Sequence, residues 1–322
     1  MAINDDIIME LIRGIHNLQH QPQGCVLSIG NFDGIHLGHH AVLSRLLKEA
    51  ERLQVPATVM TFEPQPAELF AGKNAPGRLS RLRDKFVQLE KLDLDRLLCI
   101  SFTHEFANLS ANDFIEQLLI KKLNVKFLVV GDDFHFGYQR LGDFALLKEA
   151  GEKYGFEVVD TSSLSQDACR VSSTRIRSAL AKGQLQLAEQ MLGRKYSISG
   201  RVGHGKKLGR TIGVPTANLF LKRRVSPVSG VFVVSVLGVG EEGIDDKVYR
   251  GVANIGCRPT VNGERQQLEV HIFDFEGDLY GRQLEVILEK KLRDEVRFDS
   301  FAELKTQIDK DIQQAREWHL LN

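Results

Sequence analysis

From about residue 25 to residue 190 the chain repeats one pattern: a short apolar run, then a longer segment with apolar positions three and four apart. Residues 26–29, 57–62, 97–102, 127–130 and 156–159 are the short runs, and they read as strands. Residues 37–53 place Val42, Leu43, Leu46, Leu47, Ala50 and Leu53 on one helical face. Residues 78–92, 110–123 and 141–154 also read as helices, with Ser110 as the N-cap of its own. Strands alternating with helices predict a Rossmann-like, mostly parallel sheet covered on both faces. After a further helix at 185–192 the period changes. Residues 196–202, 231–237, 248–255, 268–275 and 284–288 read as strands separated by glycine-rich turns, and helix returns only at 301–318. That pattern predicts a sandwich or small barrel. The boundary falls near residue 186, giving domains 1–186 and 187–322.

At 322 residues the chain has length for two ordinary cores. Its 42 basic and 42 acidic residues balance, so no global field favours nucleic acid or an anionic membrane. Cys25, Cys99, Cys169 and Cys257 lie far apart, which argues against a zinc site or a disulfide framework and fits a reducing cytoplasm. The opening residues lack the pattern of a signal peptide, and the most apolar run, 231–239, is far short of a membrane span. A soluble cytoplasmic protein is expected, with homo-oligomerisation left open.

The residues with chemistry fall where the predicted strands end, which is where ligands bind in such sheets. The first strand runs into Gly30-Asn31-Phe32-Asp33-Gly34-Ile35-His36-Leu37-Gly38-His39 and then a helix. Glycines let a phosphate approach the backbone, the helix start offers N–H groups and partial positive charge, and two histidines can donate hydrogen bonds. This reads as the triphosphate end of a nucleotide site. The second strand runs into Phe62-Glu63-Pro64-Gln65-Pro66, a rigid turn whose prolines are expected to exclude a helix. The fourth runs into Gly131-Asp132-Asp133-Phe134-His135-Phe136-Gly137; its carboxylates suit either a turn or a polar ligand, and its aromatics either a core or a planar ligand. Ser172, Ser173, Thr174, Arg175 and Arg177 open the last helix of this half, as ordinary caps and a solvated face or as donors and cations for phosphate oxygens.

In the second half, Gly203-His204-Gly205-Lys206-Lys207-Leu208-Gly209 lacks the Walker spacing and by itself suggests a flexible hairpin. In the extended segment that follows, Thr216 and Asn218 project to one side, two neutral oxygen donors of the kind a Mg²⁺ bound mainly to substrate phosphates accepts. Leu268, Val270 and Ile272 share one strand face, Glu269 and His271 the other; the latter pair is either a solvated face or a carboxylate base with its surroundings.

Together these motifs, in order and spacing from Val26 to Ala315, resemble the prokaryotic bifunctional riboflavin kinase/FAD synthetase family. Two departures are Gln65 and His135, where many members carry His and Arg. The resemblance implies a nucleotidylyltransferase-type first domain and a six-stranded antiparallel barrel with a terminal helix. It implies ATP-dependent phosphorylation of riboflavin to FMN, then adenylyl transfer from a second ATP to FMN, giving FAD and pyrophosphate. By the same resemblance His36, His39 and Arg175 surround the triphosphate, together with Gly30, Asn31, Phe32, Asp33, Gly38, Ser173, Thr174 and Arg177. Phe62, Pro64, Asp132 and Phe136 would lie toward the flavin. Glu269 would be the base on the riboflavin 5′-hydroxyl, Thr216 and Asn218 the Mg²⁺ ligands, and Gly203, Gly205 and Lys206 part of the loop over ATP. Another phosphate acceptor would leave the Pro-Thr-Ala-Asn half unexplained. A nucleic-acid-binding barrel is disfavoured by neutral charge and a single Trp.

Overall fold

The computed structural model describes residues 9–19, 21–131, 134–160, 171–205, 213–221, 225–239, 247–260 and 263–322, with no side chain described at 257–260 or 263–265. The chain divides into two compact units, one of Met1–Pro76 with Ser80–Val171, the other of Gly77–Leu79 with Ser172–Asn322.

The first unit holds a wholly parallel sheet of β1 (Glu10–Arg13), β2 (Cys25–Ile29), β3 (Ala57–Glu63), β4 (Arg96–Ser101), β5 (Val125–Val130) and β6 (Glu157–Asp160), in the order β1-β4-β3-β2-β5-β6. Alternate residues of each strand enter two separate cores, as a sheet buried on both faces requires. Leu27, Ile29, Met60 and Leu128 pack with Phe114, Leu118 and Leu147 on one side. Val26, Val59, Phe127 and Val129 pack on the other with Leu43 and Leu46 of α1 (Leu37–Leu53) and with Leu89 of α3 (Leu82–Glu90). Strand order reverses between β2 and β5, so the loop after β2 lies at the switch point, where such sheets bind nucleotides.

The second unit contains α7 (Ser173–Ala181), α8 (Leu185–Leu192) and a closed antiparallel barrel. Its strands are β7 (Ser197–Gly203), β8 (Ala217–Phe220), β9 (Gly230–Leu237), β10 (Tyr249–Thr260), β11 (Gly263–Ile272) and β12 (Gln283–Arg293), in the order β10-β11-β8-β7-β12-β9. A terminal helix, Phe301–Leu321, covers part of the outer wall: Ala315 packs on Val231, Val233, Val252 and Phe273. It is fastened by Arg293, whose guanidinium donates to both carboxylate oxygens of Asp311, and by Arg316, paired in the same way with Asp274.

Four expectations change. The sheet gains β1, an edge strand of four residues with little apolar signal, and the barrel gains β8, whose four residues are too few to show a period. The prolines after β3 do not exclude a helix: Pro66 occupies the first position of α2 (Pro66–Ala71), where its missing N–H costs nothing, and Gln65 precedes it as N-cap. The helix beginning after Ser110 widens to π geometry over Phe114–Lys122, closing with the Leu123 N–H donating to Leu118 O at 3.0 Å. Ser110 itself caps as expected, accepting from the Asp113 N–H at 3.0 Å. No helix among the described residues is long and apolar enough to cross a membrane.

Candidate functional site

In the first unit the loop after β2 is built around a reciprocal cap. The His39 backbone N–H donates to His36 Nδ1 and the His36 backbone N–H donates to His39 Nδ1, each at 3.3 Å. An imidazole nitrogen that accepts from an amide carries no proton, so both rings hold theirs on Nε2. The rings stack with centroids 3.7 Å apart and planes 13° apart, and Phe32 leans on His39 at 4.9 Å. Burial first, then the neighbouring His36, Lys85 and His40, push the His39 pKa well below its ordinary value. His39 is thus a neutral donor through the physiological range. Gly38 leaves little room: a Cβ there would lie 3.2 Å from the His36 ring and 3.3 Å from Val171 O.

The other loop residues hold the turn. Asp33 is buried and accepts from both the N–H and the hydroxyl of Ser80, while Ser80 Oγ accepts from the Gly34 N–H. The Asn31 carbonyl accepts from Lys85 Nζ at 2.6 Å and from Thr61 Oγ1 at 3.3 Å. Gly30 precedes this turn, and its Cβ position would press on the Phe32 ring at 3.2 Å. Asp33 therefore shapes the loop, and the sequence reading missed Ser80, Thr61 and Lys85. Lys85 had a faint signal, since it falls on the apolar stripe of α3 between Leu82 and Leu89.

Phe62, at the end of β3, begins a run of ring contacts: Phe62 to Phe106 at 6.0 Å, Phe106 to Phe114 at 6.3 Å, Phe114 to Phe136 at 5.1 Å, and Phe136 to Phe134 at 5.6 Å. Phe62 and Phe136 are buried in the same hydrophobic cluster. Pro64 follows Glu63 through a cis peptide bond. Asp132 lies outside the described residues.

In the second unit, Ser172 caps α7 by accepting from the Arg175 N–H, and Arg177 Nε donates to Gly77 O at 2.7 Å. Ser173, Thr174 and Arg175 stand in the first turn of that helix.

The barrel brings its candidates together. Strand register sets Gly203 opposite Asn218, Asn218 opposite Glu269, and Glu269 opposite Asn254, one row across β7, β8, β11 and β10. Directly opposed residues stand about 4.5–5.5 Å apart at Cβ. Leu268 and Leu219 face the barrel interior, so the row lies on the outer wall. Gln267 Nε2 donates to Asn218 Oδ1, and Asn218 Nδ2 donates to the Thr216 carbonyl at 3.2 Å. Next to the row, the His271 ring bonds Pro215 O at 2.8 Å through Nδ1, which must then be the donor; burial above all lowers its pKa. At the far end Asn254 Nδ2 donates to Glu295 Oε1 at 3.3 Å. Gln267 and Asn254 were missed, although Gln267 shares the period-two face of Glu269 and His271. Lys206 lies outside the described residues. Among those described, no group of three or more His, Cys, Asp or Glu could hold a metal ion.

Gly205 presses on this arrangement, for a Cβ there would lie 2.6 Å from the Asn218 amide. Gly205→Ala must displace a buried, doubly bonded side chain. It is expected to lower the melting temperature, read by thermal denaturation of wild type and variant side by side.

Residues 18–175 match the family model for FAD synthetase and residues 192–319 that for riboflavin kinase. The fold and the two family matches are thus those of a nucleotide-dependent transferase with two catalytic halves. Relatives named bifunctional riboflavin kinase/FMN adenylyltransferase include one from Escherichia coli (strain K12), 56% identical over 96% of this chain and 98% of that one. Another, from Haemophilus influenzae, is 53% identical over 96% and 98%. A solved structure titled as a macrolide-efflux protein from Streptococcus pneumoniae is 33% identical with a TM-score of 0.75, covering 97% of this chain and 99% of that one. The chain belongs to the bifunctional riboflavin kinase/FMN adenylyltransferase family, and it is an enzyme with both activities.

Proposed function

We propose that the two steps are carried out at two separate places, adenylyl transfer at residues 30–39 and phosphorylation on the outer barrel wall at Glu269. The functional division is assigned to 1–186 and 187–322. The observation that carries this reading is the register that sets a carboxylate, Glu269, beside Asn218 and within two residues of Thr216.

For riboflavin phosphorylation, Glu269 takes the proton of the 5′-hydroxyl as the oxygen attacks the γ-phosphorus of ATP; the bond to the β-phosphate oxygen breaks and ADP leaves. Thr216 and Asn218 are the residues that would hold Mg²⁺. The donor set fits that ion, which keeps most of its waters and binds mainly through phosphates: two neutral residues, with Asn218 fixed by Gln267. When bound it would neutralise charge on the transferred phosphoryl group. Gly203, Gly205 and Lys206 belong to the segment over ATP.

For adenylyl transfer, a phosphate oxygen of FMN attacks the α-phosphorus of ATP, the α–β bond breaks, and pyrophosphate leaves. No protein nucleophile is needed, so the chain supplies position and charge. His36 and His39 donate from Nε2 to triphosphate oxygens; Arg175 and Arg177, with the Ser173 and Thr174 hydroxyls, carry cations and donors of the kind a triphosphate takes. Phe62, Pro64, Phe136 and Asp132 are assigned to the flavin side. Scattered cysteines support a cytoplasmic location.

Incubation with riboflavin, ATP and Mg²⁺, with flavins resolved by chromatography, is expected to give FMN and then FAD. Unchanged riboflavin in folded protein would contradict the barrel site.

A further inference from the structure

Lys85 has no part in the chemistry above, yet it is fully buried. A buried ammonium requires acceptors. One is the Asn31 carbonyl, 2.6 Å from Nζ, and Thr61 Oγ1 donates to the same oxygen at 3.3 Å. Two donors from two elements, α3 and β3, thus grip a single loop carbonyl. Immediately after it the backbone turns left-handed three times, at Phe32 (φ 44°), Gly34 (φ 91°) and Ile35 (φ 42°). Bulky residues adopt that region only where their surroundings over-determine it. The far side of the turn is pinned by Asp33, Ser80 and the histidine cap. The near side is pinned by Lys85 and Thr61.

Charge points the same way. Asp33 is the only carboxylate in the loop, and both histidines are held as Nε2–H tautomers, so the loop itself offers no cation to a triphosphate. Lys85 is close enough for its charge to act on His39.

Resting on the reading of residues 30–39 as the triphosphate site, we infer that Lys85 is a positioning residue of adenylyl transfer. Its ammonium locks the Asn31 carbonyl and lays a fixed positive charge beneath the loop that receives ATP. Thr61 is its partner in the clamp.

Lys85→Met tests this in the full-length enzyme. The kcat/KM for ATP in FMN adenylylation is expected to fall about 10–100-fold, the scale of a misplaced reacting group. The KM for FMN and the riboflavin kinase rate should stay at wild-type values. NMR titration of the His39 imidazole should show its midpoint rise in Lys85→Met and stay near the wild-type value in Thr61→Val, which loosens the clamp but keeps the charge. Thr61→Val removes the second donor at nearly constant volume; it should move kcat/KM in the same direction by a smaller factor, and it carries the test if Lys85→Met does not fold. Wild-type ATP parameters in the folded variants, beside a His39→Ala enzyme that has lost adenylylation, would overturn the inference alone. Wild-type adenylylation in His39→Ala as well would overturn the reading of the loop and the inference with it.

Discussion

Glu269→Ala should lose riboflavin phosphorylation by about 10²–10⁴-fold, the usual contribution of a general base, while FMN adenylylation proceeds at the wild-type rate. Glu269 stands on the outer wall between Asn218 on one strand and Asn254 on the other, and the interior face of its strand is filled by Leu268 and Val270. Truncation on an outer wall opens no cavity in the barrel, so the loss should appear in kcat and leave the melting temperature nearly unmoved. Glu269→Gln should lose a similar factor, because it keeps the shape and removes the proton acceptor.

His39→Ala should do the reverse, lowering adenylylation by about 10²–10³-fold, the cost of one donor aimed at developing charge, and sparing the kinase. The substitution removes the proposed triphosphate donor and also the Nδ1 that accepts from the His36 amide. His39→Asn keeps a donor and an acceptor and should recover part of the loss. Stability adds a second readout. Burial holds the folded-state pKa of His39 well below the ordinary value, so below about pH 6.5 the unfolded chain binds a proton that the folded one refuses. Stability should therefore fall as pH drops below that value, and His39→Ala should flatten the decline. Adenylylation should show no loss from His39 titration between about pH 6.5 and 8.

How much of this was readable in the sequence follows from the range of the forces involved. Periodicity is local, and it located the central strands and the long helices. It failed at β1 and β8, whose four residues owe their strand geometry to neighbours far along the chain. Cap chemistry is equally local: Ser110 was legible, and so was the helix start after the glycine-rich loop, although His36 rather than a hydroxyl closes it. Pro66 was misread because a proline that breaks a helix interior is welcome at the first position, and its place in the helix depends on where the strand before it ends. The residues proposed for the chemistry stood out by type and spacing. Their supports did not. Ser80 reaches Asp33 across 47 positions and Lys85 reaches Asn31 across 54, separations at which a sequence gives no pattern. Gln267 lay within sight, two residues before Glu269, but only the pairing of β8 with β11 gives its amide a partner.

The proposed division of labour requires two sites that work independently in one chain. Its most direct test supplies riboflavin, ATP and Mg²⁺ to Glu269→Ala, to His39→Ala and to an equal mixture of the two, and follows FAD by chromatography. The first variant should leave riboflavin unchanged, the second should stop at FMN, and the mixture should make FAD. A mixture that makes none, with both proteins folded and either one lacking both single steps, would contradict the division.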